Sequence, residues 1–466
     1  MMRTIRSLSP YFLTLTLVAI VATTIQFDRW SARAQDNPAI GDSGGPATPT
    51  NSTATSGATT SSENISSETT VGTAVNGLYM PSIFNDHSGR LSPRIGFGTS
   101  AFPITKVGDV RALNAGWYVD WTVNPNRVRL GGMEYMPMVR VHQKLACPIG
   151  TTADRKRCPY LNGYEYTPSP GSIKAYAVAN PGSVWLLGNE MDRVDWPGGS
   201  QDEMQPTLYP VFYKELYDMI KTADPTAKIA IGGVVQPTAL RLKYLDKILT
   251  TYRQLYGVDM PVDVWNVHNF INAEFCHYEK NPVDKKDELI CYGGAVPPDS
   301  ETMEGWYYGQ DWLHISKDIF AKQVRDMRKW MKDRGQQNKP LIISEYGVLY
   351  NKLDCKDLTP NRVCPSNPNW VDLENPAVIH DFMLWTFDYL ADTTDPTIGY
   401  PADGNRLVQR WAWFSLDDVG WNFNVHTALF TTGNQQMTGA GRLFSEYTTK
   451  NYKKLQQGAE HNNGFR

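Results

Sequence analysis

From about residue 90 onward the chain alternates between two hydrophobic patterns. Short apolar runs rich in β-branched and aromatic residues occur at RIGFG (94–98), AGWYVDWT (115–122), EYMPMVRVH (134–142) and SVWLLGNE (183–190). KIAIGGVV (228–235), DVWNVHNF (263–270), PLIISEYGV (340–348) and RWAWFSL (410–416) bring the series to eight. Between them apolar residues recur at helical spacing, most clearly over Leu208–Thr222, Arg241–Tyr256, Ser316–Arg334 and Pro376–Leu390, with a last helix from about Gly439 to Lys450. This alternation predicts a parallel α/β sheet. The strand runs lack a clean apolar–polar alternation, so both of their faces are expected to be buried. Eight parallel strands in roughly 360 residues predict a (β/α)8 TIM barrel with enlarged βα-loops. A doubly wound open sheet is the alternative, but no Gly-x-Gly-x-x-Gly turn follows the first strand.

The N-terminal region follows other rules. Arg3 and Arg6 precede a charge-free apolar run from about Tyr11 to Ile25, and Ala32-Arg33-Ala34 offers a small-x-small cleavage site. Residues 1–34 therefore read as a secretory signal peptide or, because Tyr11–Phe27 is almost long enough to span a bilayer, as an N-terminal membrane anchor. Either places the rest of the chain outside the cytoplasm. Residues 35–75 are Ser/Thr-rich with interspersed Gly and Pro, which predicts a disordered linker, whether stalk or plain spacer. The folded domain is expected over 76–466.

Composition narrows the function. With 45 basic against 48 acidic side chains the formal charge is −3, which argues against a nucleic-acid partner. Aromatic residues make up 12% of the 466 residues, a supply that suits both a large core and a sugar-binding cleft. The six cysteines fall as Cys147/Cys158, Cys276/Cys291 and Cys355/Cys364, each pair after a predicted strand. Neighbours in short polar segments are expected to join as disulfides bracing the rim of a barrel mouth. A zinc site is the rival reading, but there is no Cys-x-x-Cys and no His at ligand spacing around the pairs.

The candidate chemistry lies at strand ends, where a barrel would otherwise place Val, Ile or Leu. The fourth strand ends in Asn189-Glu190 and the seventh carries Glu345. These strands would stand across a barrel from each other, so the two carboxylates could face one another. Such a pair, one protonated and one ionised about 5–5.5 Å apart, is what retaining glycoside hydrolysis requires. His268, Arg140, His142 and Trp121 end other strands, and Trp411 and Trp413 share a face of the eighth. Asn189, His268, Arg140, Trp121 and Trp413 are candidates for binding sugar, with Trp413 as the flat platform.

Taken together, WYVDW, EYMPMVR, WLLGNEMD, LIISEYG and RWAWFSL resemble the clan A retaining glycoside hydrolases. The likeness spans roughly residues 94–450 and is nearest to the glycosyl hydrolase catalytic-core group that includes glycoside hydrolase family 128, whose members are β-1,3-glucanases. It implies that Glu190 is the acid/base, Glu345 the nucleophile and Trp413 the sugar platform. Met191 departs from the clan pattern, in which a proline usually follows Asn-Glu, while Asp192 keeps the acidic position after it.

The expected function is extracellular hydrolysis of a β-linked polysaccharide, β-1,3-glucan by the resemblance. A catalytically inactive carbohydrate-binding surface protein on the same barrel is the alternative. No cofactor or metal is implied, since the chain has no His-Glu-x-x-His, nucleotide-binding glycine loop or calcium-loop pattern. A monomer is expected, with a polysaccharide or oligosaccharide as its partner.

Overall fold

The computed structural model describes residues 91–101, 103–149, 151–194, 201–281, 285–303, 305, 314–350, 373–418, 423–431 and 433–457. The expected signal or anchor, the linker, Cys355 and Cys364 lie outside these residues.

Every one of the eight apolar runs forms parallel strand. They are β1 (Ser92–Gly98), β2 (Ala115–Val119), β3 (Glu134–Tyr135) with β4 (Met138–Leu145), β6 (Val184–Asn189), β7 (Lys228–Gly233), β8 (Trp265–His268), β11 (Leu341–Tyr346) and β12 (Arg410–Trp413). Pro137 interrupts the third run because it has no N–H for the ladder. The surrounding backbone still bridges its neighbours: Met136 N donates to Tyr118 O, and Leu186 N to Pro137 O. The chain adds an antiparallel strand, β5 (Tyr160–Thr167), beside β4, and a hairpin of β9 (Glu274–Lys280) and β10 (Asp287–Gly293). Neither addition was expected. Both have largely half-buried or exposed strands without a continuous buried apolar run, so their sequence pattern is weak.

The parallel pairings run β1–β2–β3 and β4–β6–β7, and then β8–β11–β12–β1. Parallel bridges Ala230↔Val264 and Val234↔Val267 join β7 to β8. Followed from neighbour to neighbour, the pairing leads back to β1.

The strands bury both faces, as their patterning requires. On one side Trp117, Val119, Met136, Met138, Val184, Leu186, Ala230, Val264, Ile342 and Ala412 form a single apolar cluster. Their alternates, including Phe97, Tyr118, Leu187, Val267, Ile343 and Trp413, pack into the larger cluster with the helices. Gly96 belongs to this fit, since a Cβ there would approach the Trp117 ring to 2.6 Å.

Among the described residues the helices are α1 (Pro170–Ala179), α2 (Tyr209–Ala223), α3 (Ala239–Tyr256), α4 (Lys317–Asp333), α5 (Pro376–Asp392), α6 (Gly439–Lys450) and α7 (Tyr452–Gln456). α4 shows why they form where they do. The Ser316 side chain caps its N-terminus by accepting from Ile319 N, and Phe320, Val324, Met327 and Met331 make one buried stripe. Short 3-10 turns, Ile104–Lys106, Val110–Leu113 and Leu130–Gly132, stand between the first strands in place of α-helices. No helix among the described residues is long and apolar enough to cross a membrane.

Two disulfides are present among the described residues. Cys147–Cys158 closes the segment leaving β4, and Cys276–Cys291 links facing residues of the β9–β10 hairpin.

Candidate active site

Glu190 follows the last residue of β6, and its backbone turns sharply. Its φ is +51°, in the left-handed region, and its N–H donates to Gly233 O at 2.8 Å. Glu345 lies near the C-terminal end of β11, in register with His268 at the end of β8. Three strands thus deliver three polar side chains to one place.

They meet closely. His268 Nδ1 is 3.0 Å from Glu190 Oε1, and its Nε2 is 3.6 Å from Glu345 Oε1. One ligand-type atom from each of the three residues lies within 4.8 Å of the others. The carboxylates are nearly enclosed, with Glu190 8% and Glu345 5% exposed. Trp121, held at φ +56°, donates its indole N–H to Glu345 Oε1.

These surroundings pull the acids apart. Burial raises Glu345, the negative charge of Glu190 adds to it, and the carboxyl is pushed up to about 7 despite His268, Trp121 and Arg140. Burial would raise Glu190 too, but the hydrogen bond and charge of His268, with Arg193 and Arg241 beyond, bring it below its ordinary value. Burial disfavours charge on His268, yet Glu345 and Glu190 raise it overall. The trio could also be read as a metal site. One ring nitrogen of His268 and one oxygen of each carboxylate would be its ligands, while the 3.0 Å contact of Nδ1 to Glu190 is also an ordinary hydrogen-bond distance.

Two other predicted residues stand close by. Asn189 donates its backbone N–H to Asp202 Oδ2 at 2.8 Å, while its buried side-chain Oδ1 has no hydrogen-bond partner among the described residues. Arg140 Nε reaches Asp202 Oδ1 at 2.7 Å, and its charge lowers the Glu345 carboxyl. Asp202 itself is pushed up to about 6, burial outweighing Arg140 and the Val141 and Asn189 amides.

Two expectations need correction. Trp413 is 0% exposed and turned away from the carboxylates: its ring packs on Tyr346 and Phe387, and its N–H donates to Thr427 O at 2.8 Å. The shared face of Trp411 and Trp413 is the helix-facing one, because Ala412 belongs to the inner cluster. The next residue, Phe414, takes the position near the site, with Trp121 at 5.8 Å, Phe270 at 6.1 Å and Phe423 at 5.5 Å between ring centres. The second correction is His268, which is fully buried between the two acids and so has no face for direct sugar contact. Strand parity counted from Ala412 would have found Phe414. No sequence signal marks Arg193, in the turn after β6, or Arg241, in the first turn of α3.

No family model matches the sequence, and no curated protein matches it. Among solved structures it is similar to a glucosidase from Croceicoccus marinus at 11% identity and a TM-score of 0.40, over 77% of this chain and 67% of that one. It is similar to a family 51 alpha-L-arabinofuranosidase from Bifidobacterium longum at 14% identity and 0.38, over 77% and 72%. A Ruminococcus gnavus beta-glucuronidase matches at 11% and 0.36 over 77% of this chain, which spans about half the length of that protein, 51%. At these scores the likeness adds nothing to the geometry above.

Proposed function

We propose that the protein is a glycoside hydrolase that cleaves a β-linked polysaccharide with retention, on a (β/α)8 barrel. One observation carries this reading: two buried carboxylates from different parallel strands, Glu190 and Glu345, with oxygens no more than 4.8 Å apart. Retention needs carboxyls about 5–5.5 Å apart, whereas inversion leaves room for a water between groups about 6.5–9.5 Å apart. The return of the strand pairing to β1 supports the barrel.

In the first step Glu190 protonates the leaving oxygen while Glu345 attacks the anomeric carbon. In the second, Glu190 takes a proton from the water that releases the sugar. Asn189, whose side-chain carbonyl oxygen has no partner among the described residues, would hold a sugar hydroxyl, and Trp121 and Phe414 would line the ring's path. Arg140 would act through Asp202. The acidity of the free site favours the reverse roles, since the raised carboxyl belongs to Glu345 and the lowered one to Glu190. Strand order and the motif resemblance favour the first assignment.

β-1,3-Glucan is the proposed substrate from that resemblance. The two disulfides favour a place outside the cytoplasm, reached through the N-terminal signal or anchor. The test is activity on a panel of β-glucans and related polymers, followed by azide rescue of Glu190→Ala and Glu345→Gly. Rescue of Glu190→Ala is expected to give a β-glycosyl azide and rescue of Glu345→Gly the α-anomer. Exchanged anomers would exchange the roles. Binding without turnover across the panel would overturn the enzyme in favour of a carbohydrate-binding protein.

A further inference from the structure

The turn that carries Glu190 has to be held in place, because a φ of +51° is an unfavoured backbone for a long side chain and persists only where its surroundings fix it. Much of that hold comes from the β9–β10 hairpin. Arg193, three residues on, donates Nε and Nη2 to Gly293 O at 3.1 and 2.9 Å. Arg241, on α3, donates Nη1 to Asp192 O at 3.0 Å and to the Asp192 carboxylate. Its Nε reaches Glu274 Oε1 at 2.6 Å, and its Nη2 the carbonyls of Gly294 and Ala295. Asp192, Arg241 and Glu274 are fully buried.

Glu274 and Gly293 face each other at the base of the hairpin, and two rungs further along Cys276 is joined to Cys291. The disulfide therefore fixes the spacing of the two strand ends that the arginines grip. We propose that the disulfide-closed hairpin is a positioning device for Glu190, with Arg193 and Arg241 as the positioning residues that transmit its hold. This rests on the reading of Glu190 as a catalytic carboxylate. The groups facing Glu190 are His268 from β8, Glu345 from β11, Asp192 and Arg193 from its own turn, Arg241 from α3 and Tyr350 beyond β11. Glu274 stands behind Arg241. Both arginines favour the ionised form of Glu190.

The test uses the full chain with Arg193→Gln, and with Cys276→Ser/Cys291→Ser, each checked for wild-type circular dichroism. Both variants should lose about tenfold or more in kcat, with KM changed less than about threefold, because a small misplacement of a reacting group is expensive in rate. A 13C NMR titration of glutamate side chains, which needs no substrate, should place Glu190 at higher pH in Arg193→Gln. A folded double-serine variant with wild-type kcat overturns the proposal. If that variant does not fold, an unchanged kcat and Glu190 titration in Arg193→Gln overturn it. If the wild type hydrolyses no glycan, the functional reading fails by itself, and an unmoved Glu190 titration still overturns the hold.

Discussion

At the scale of single residues, the site is a contest over one or two protons. Two carboxyls and an imidazole share a pocket that water barely enters, so their titrations belong to the group. Glu345 is held near 7, above an unfolded value of about 4.3. The folded state therefore binds more protons than the unfolded one between those values, and stability falls as pH rises through that window, then levels off. Glu345→Gln removes the buried charge. Its melting temperature should match the wild type near pH 4 and exceed it increasingly from pH 5 to 8, as read by calorimetry. Turnover should fall at least about 10²-fold at every pH. Trp121→Phe tests the indole contact. Its N–H helps to keep Glu345 ionised, so its loss should raise that carboxyl further and move the acidic limb of the kcat/KM profile to higher pH.

At the scale of elements, β12 shows how strand parity decides between structure and chemistry. Trp413 faces the helices, wedged between Tyr346 and Phe387, and Phe414 faces the site. Trp413→Ala should destabilise the fold by about 3–5 kcal/mol through lost burial and the cavity left behind. Phe414→Ala should act chiefly on KM for the polysaccharide. Denaturant unfolding and steady-state kinetics together separate the two effects, and a KM effect at Trp413 with unchanged stability would reverse the parity. The apolar strands were legible in the sequence because burial on both faces leaves an unbroken run. The β9–β10 hairpin was not, because its packed face consists of little more than Cys276, Leu289 and Cys291.

At the scale of the whole molecule, the fold is long-range. Strand β1 pairs with β12, more than 300 residues later, and α6 packs back on the N-terminal part through Thr448 Oγ1 to Leu113 O at 2.8 Å. Truncation after α5 should therefore abolish cooperative unfolding, since β1 loses a ladder along with β12. Removing residues 1–75, expected to hold signal and linker, should leave the melting temperature within about 2 °C of the full chain.

Local spacing along the chain was enough to read the alternation of strands and helices, the two neighbouring cysteine links within the described residues, and Glu190 and Glu345 at strand ends. Each of these is written in local spacing: apolar runs, short loops, and a charged residue where a buried strand stops. Folding in three dimensions fixed which side of β12 meets the carboxylates, and enclosed His268 between two acids. It also decided that Arg193 and Arg241 tie the Glu190 turn to a distant hairpin. Those features depend on strand register and on loops meeting in space, and a one-residue change in register would exchange Trp413 for Phe414 without altering the hydrophobic pattern along the chain.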